Sequence, residues 1–202
     1  MGNVAHRERD LVIARALIEG LARAELGATL LAMGLLVEAE AQLLPALAVL
    51  TTQLPADHRI MIDLRGAEVR LRIRQGRLPE ARALIATLMP LALGRHGPAS
   101  VDGALLGVNL GRALCDAGHP ADAVPLLHAS MTELGRLLPA DPNTVACAML
   151  LASAIVQARG EPAVARAVLS RVGEQLRQQV GEHAPLLAAL ADHAAKLGLV
   201  AS

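Results

Sequence analysis

The chain has 202 residues, 53% of them apolar, with nineteen acidic and nineteen basic side chains and no Phe, Tyr or Trp. Balanced charge removes the general electrostatic pull toward nucleic acid or an anionic membrane, and a chain without aromatic rings offers bases no stacking platform. Two cysteines, Cys115 and Cys147, with no CxxC spacing, exclude a disulfide framework and fit small core residues in a reducing compartment.

A core without aromatics must be built from Leu, Ala, Val, Ile and Met. Ala and Leu dominate, and both are good helix formers. One lysine, Lys196, stands among the nineteen basic residues. That bias fits a GC-rich source, and a designed or filtered sequence stays open beside it. In chain order, residues 1–10 are polar and charged, with no secretory leader, and His6 stands where a myristoylation signal needs Ser or Thr. The most apolar stretch, residues 26–37, is too short to span a bilayer and is flanked by Glu25, Glu38 and Glu40. A soluble, cytoplasmic protein is expected, with no cofactor and no metal.

An opening helix is expected from about Arg7 to Met33, with an interruption allowed for near Gly20. Further helices are expected near 37–54, 60–75, 79–95, 101–117, 121–138, 144–159 and 163–180, and a last one over 186–197 ends at Gly198. Pro45 and Pro90 fall inside two of them, where an interior proline costs roughly 3 kcal/mol and kinks or shortens a helix. Residues 69–74 alternate like a strand, but both neighbouring segments read as helix and a lone strand would have no partner.

These helices form a repeat. Gly34, Gly76, Gly118 and Gly160 are spaced by 42 residues; Ala39, Ala81, Ala123 and Ala165 follow them by five, and Leu43, Ile85, Leu127 and Leu169 by nine. A glycine at the end of a first helix supplies the left-handed residue that reverses the chain. Pro79, Pro120 and Pro162 suit the first positions of a second helix. The alanine then lets the two helices approach, and the aliphatic residue four further on fills the core from the same face.

Leu26-Gly27 and Leu110-Gly111 in first helices, and the Ala39-Leu43-Ala46 and Ala123-Leu127-Ser130 patterns in second helices, resemble the tetratricopeptide (TPR) repeat. The 42-residue period, Asn109, and the linkers Leu93-Gly94-Arg95-His96-Gly97-Pro98 and Leu138-Pro139-Ala140-Asp141-Pro142 are similar to the kinesin-light-chain type. The family's aromatic positions hold Arg23, Arg65, Gly107 and Met149, and Leu30, Arg72, Leu114 and Val156; the Leu-Gly pair is replaced by Glu68-Val69 and Ala152-Ser153. The resemblance implies an all-α, right-handed superhelical solenoid. It divides into an N-terminal helical extension (1–19), four repeats (20–61, 62–103, 104–145 and 146–185), and a C-terminal capping helix with its tail (186–202).

No P-loop, GxGxxG, HExxH, GxSxG or Cys/His zinc spacing is present, and His183 and His193 read as surface residues rather than a metal pair. No catalytic base accompanies Cys115, so an enzyme is not expected. The resemblance implies that the first helices line a concave groove. Repeat register places Asp63, Arg70, Arg74, Asn109, Arg112, Asp116, Ala154 and Gln157 there, with Arg70 and Arg112 in one column. Guanidinium and amide groups suit the carboxylates and carbonyls of a peptide. The expected function is a protein- or peptide-binding scaffold. A regulatory or oligomerisation module of a larger bacterial signalling system, with a kinase or transcription activator as partner, stays open, with self-association as one of its forms.

Overall fold

A computed structural model of the protein describes residues 2–94, 101–181 and 185–199. Among the described residues there is helix and turn but no strand. The helices are α1 (Gly2–Met33), α2 (Leu36–Thr51), α3 (Arg59–Arg74), α4 (Leu78–Gly94), α5 (Val101–Asp116), α6 (Pro120–Leu137), α7 (Pro142–Gln157), α8 (Pro162–Val180) and α9 (Pro185–Lys196). The second helices α2, α4, α6 and α8 start at residues 36, 78, 120 and 162, each 42 after the last. His183 and the end of the first linker, from Arg95, lie outside the described residues.

The strand-like stretch after Glu68 is helical, inside α3. Val69, Leu71 and Ile73 are all buried, and so is Arg72 between them. A helix covered on most sides loses the one-sided periodicity that marks a surface helix, and this is why its sequence alternates misleadingly. Pro45, Pro90 and Pro125 lie inside α2, α4 and α6 without ending them. All three are exposed, on the side of each helix where a lost ladder bond costs least.

The chain divides into two compact units, Met1–Leu91 and Ala92–Ser202. In the first, one cluster gathers Leu31 of α1, Ala39, Leu43, Ala46 and Leu50 of α2, and Met61, Leu64, Ala67 and Leu71 of α3. The α2 members recur every three or four residues and so form one face. α1 runs unbroken through Gly20 and Gly27. The two glycines serve close approach: a Cβ at Gly27 would lie 2.7 Å from Leu43 Cγ, and one at Gly20 would lie 3.0 Å from Leu50 Cγ.

The second unit repeats the arrangement. A Cβ at Gly111 of α5 would lie 2.5 Å from Leu127 Cδ2 of α6. Ala123 and Ala165 are fully buried, as Ala39 and Ala81 are in the first unit. α9 lies against α7 and α8: Arg166 Nε donates to Leu199 O at 2.8 Å, and His193 Nε2 lies 2.9 Å from both Ser153 Oγ and Met149 O.

The turns between paired helices share one hydrogen-bond pattern. The amide of Gly34 bonds Leu31 O and the next amide reaches Leu30 O; Gly76 and Gly118 do the same one and two periods on. This is the double carbonyl cap that a left-handed residue makes possible, and all three glycines have positive φ. The fourth turn departs from the expectation for Gly160. There Arg159 takes the left-handed conformation, at φ 58, and its amide bonds Val156 O. Both ends of α7 are shifted: Pro142 starts it one residue early in the register, and Gln157 ends it one early. Gly160 then sits one place beyond the turn, where a Cβ would lie 3.0 Å from Ile155 O.

Candidate interaction surface on the first helices

In the first unit, α1 and α3 enclose an open cavity of about 380 Å³. Leu21, Ala24 and Ala28 line it from α1, and Ile60, Leu64 and Ala67 from α3, with Glu25, Asp63 and Arg70 as its charged members. It exists because small residues stand at one-turn spacing on α1, Ala24 and Ala28, opposite Ala67. Arg70 is exposed, yet its crowded stem is desolvated enough to lower its pKa, against the opposing pull of Asp63; it stays cationic. Asp63 stands 3.8 Å from Arg59 in a pair exposed on both sides, which holds it weakly.

Arg74 has a different occupation. Its Nη1 donates to Leu31 O at the end of α1, the carbonyl that the Gly34 amide also reaches. Arg72, one turn from Glu68, is 6% exposed and central to a cluster of charges. Its Nη1 donates to Glu40 of α2 and, at 3.0 Å, to Gln75 Oε1; its Nε lies 3.5 Å from Glu80. Glu40 also accepts from Gln75 at 2.8 Å and from Arg77 at 3.2 Å. These bonds, that to Arg72 first, hold the Glu40 carboxyl below the ordinary glutamate range.

In the second unit, Asn109, Arg112 and Asp116 are exposed on α5, at spacings that put them on one face, and Gln157 is exposed at the end of α7. Ala154, expected in the groove, is fully buried and presents no surface. The one-residue shift of α7 puts Ala154 at the place that Leu71 holds in α3, toward the core, rather than at that of Arg70 and Arg112. Both thiols are held toward the protonated form. Burial pushes Cys147 up to about 12, and its Sγ donates to Leu127 O at 3.7 Å. Burial first, then Asp116, also raises Cys115. Among the described residues no three His, Cys, Asp or Glu side chains gather to hold a metal, and no helix is long and apolar enough to cross a membrane.

Sequence reasoning found the exposed cations but not the cavity beside Arg70. The alanine pair of α1 was the available signal. The Arg72–Glu40 pair spans 32 residues and two helices, and no local pattern announces it.

No family model matches the chain, and no curated protein matches it by sequence. Solved structures do. A protein of Podosopora anserina described as a kinesin light chain with nearly identical TPR-like repeats superposes with a TM-score of 0.67 at 20% identity, over 87% of this chain and 83% of that one. A point variant of that protein gives 0.66 at 19%, over the same shares. BtubC (BKLC) from P. vanneervenii gives 0.57 at 15%, over 93% of this chain and 84% of that one. With helix pairs at a constant period and these neighbours, the chain has the all-α fold of TPR-like repeats of the kinesin-light-chain type.

Proposed function

We propose that the chain is a protein-binding scaffold that takes an extended peptide on the first helices of its first unit. The cavity between α1 and α3 carries this reading. Its volume of about 380 Å³ lies within the range of ligand pockets and accepts an aliphatic side chain with part of its backbone. The floor is Leu21, Ala24, Ala28, Leu64 and Ala67, and Arg70 at the rim supplies donors for a peptide carbonyl or carboxylate. Asn109 and Arg112 on α5, with Gln157 on α7, give the second unit donors of the same kind. Arg74, tied to Leu31 O, serves the end of α1 instead. Asp116 sets an acidic end to the α5 face.

The test is selection of peptides from a displayed library on the wild-type chain and on Ala28→Leu, which fills the cavity. The expected wild-type selection is peptides with one aliphatic anchor beside an acidic residue or a free C-terminus. Ala28→Leu should lose them by about tenfold or more, the effect of blocking one apolar anchor, with unchanged helix content. Arg70→Ala should weaken them less, and least at high salt. Peptides that bind Ala28→Leu as well as wild type would remove this site. Oligomerisation, the other reading, has its own observation on an adjoining face of α1.

A further inference from the structure

Among the described residues, large apolar side chains are exposed almost only in the first unit. Apart from Val164, every one exposed among the described residues lies between Leu11 and Leu44. On α1, Leu11, Ile18, Leu26 and Met33 are exposed at helical spacing, on the side opposite Gly20, Gly27 and Leu31, which pack inward. Ile18 and Met33 are each 68% exposed.

Repeat register says what this stripe is. Adding 42 to Ala22, Glu25 and Thr29 gives Leu64, Ala67 and Leu71, which are 4%, 2% and 0% exposed in the core shared with α1 and α2. The α1 stripe is therefore the stacking face of a repeat, uncovered. α9 differs: its exposed residues are Pro185, Ala188, Ala189, Ala191, Asp192, Ala195 and Lys196, with no large apolar side chain among them.

We propose that two copies of this chain pair through these stripes, with their α1 helices antiparallel and Ile18 set against Ala22 of the partner subunit. The stripe is complementary to itself in that register. Ile18 meets Ala22, Leu26 meets Ala14, and Leu11 meets Thr29, so each of these three large side chains faces a short one, while Met33 meets Arg7. The same register sets Arg15 against Glu25. Both are exposed, and neither has an ion pair in its own chain among the described residues. A two-fold axis makes every contact twice. A parallel pairing would instead put Arg15 against Arg15 and Ile18 against Ile18.

Charge exchange tests both the dimer and its register. The full chain is weighed by sedimentation equilibrium as wild type, Arg15→Glu, Glu25→Arg and the double exchange. The expected result is a wild-type dimer, each single exchange weakening it by about tenfold by turning two weak surface pairs into repulsions, and the double exchange restoring it. Ile18→Arg should give a folded monomer of unchanged helix content. A wild-type monomer at every attainable concentration overturns the proposal. So does a dimer that the single exchanges leave intact or that the double exchange fails to restore; in either case another surface, or a different protein, covers the stripe.

Discussion

Arg72 in the first unit and Leu114 in the second hold the same place in the repeat, 42 residues apart, and both are buried, at 6% and 1% exposure. The column four residues earlier differs in the same sense: Glu68 in α3, Leu110 in α5. One junction is made of charges and the other of hydrocarbon, yet the backbone is the same pair of 16-residue first helices, each followed by a glycine turn. Burial is therefore set by where the repeat puts a residue. The chemistry is settled locally, by neighbours that neutralise whatever arrives. At Arg72 that neighbour is Glu40, from the preceding second helix.

The sharpest way to break this comparison is to remove the neighbour. Glu40→Ala leaves a buried guanidinium without its main acceptor and should lower stability by about 3 kcal/mol, the low end of the range for unpairing a buried ion, since Glu80 and Glu68 remain near. Arg72→Leu installs the side chain that the second unit uses at this place. It should change stability by less than about 1 kcal/mol, because buried pairs often break even against well-packed hydrocarbon. Urea denaturation of the two variants decides it. Equal losses would mean that the charge cluster itself stabilises the first unit.

Next in size is the column where the second unit is the tighter one. Gly111 leaves no room for a side chain, while its counterpart Val69 is itself fully buried in α3. Gly111→Ala should cost about 2 kcal/mol through overpacking against Leu127, although alanine is the better helix former. Pairing it with Leu127→Val should recover part of that loss. A Gly111→Ala protein that melts above wild type would show that α5 can move away from α6 freely.

Much of the fold was legible because it rests on a period. The starts of α2, α4, α6 and α8 fall one residue before the expected positions, and the glycine and alanine columns needed only the sequence to be seen. Three things escaped. The left-handed residue of the fourth turn moved from Gly160 to Arg159, because the start of α7 at Pro142 shifts both of its ends. The same shift turns Ala154 from the Arg70 and Arg112 column into the buried place of Leu71. The cavity beside Arg70 depends on the spacing between two helices, a three-dimensional quantity. The exposed side chains of the first helices were found one at a time, but what lies between them was not.

Ser153 offers a smaller test, since it replaces the glycine of the Leu-Gly pair and ties down α9. Its Oγ donates to Met149 O at 3.0 Å, so the proton between it and His193 belongs to the imidazole Nε2, which points at Ser153 Oγ and Met149 O together. Ser153→Ala keeps the Met149 acceptor for His193 and should lower stability by about 1 kcal/mol, the worth of one partly buried hydrogen bond. Amide exchange should quicken in α9 before it does in α5 or α6. Uniform quickening across the second unit would mean that α9 does not open by itself.

The smallest effect returns to the charged junction and depends on pH. Burial raises the Glu68 carboxyl above the ordinary glutamate value of 4.5, with Arg72 and Arg65 opposing, while hydrogen bonds lower Glu40. The two glutamates therefore act on stability in opposite senses. Glu40 contributes above 4.5, and its contribution fades as pH falls through its lowered folded value. Glu68 favours the folded state below 4.5, where it is protonated in both states, and that advantage is lost as pH rises through its raised folded value. Glu68→Gln keeps the shape of the acid and never ionises. It should raise the melting temperature slightly at neutral pH, and the gain should vanish below about pH 4, where wild type carries the proton as well. Thermal melts at both pH values check this. A gain of equal size at the two would show that Glu68 acts through packing rather than through its charge, and that the only ionisation felt at this junction is that of Glu40.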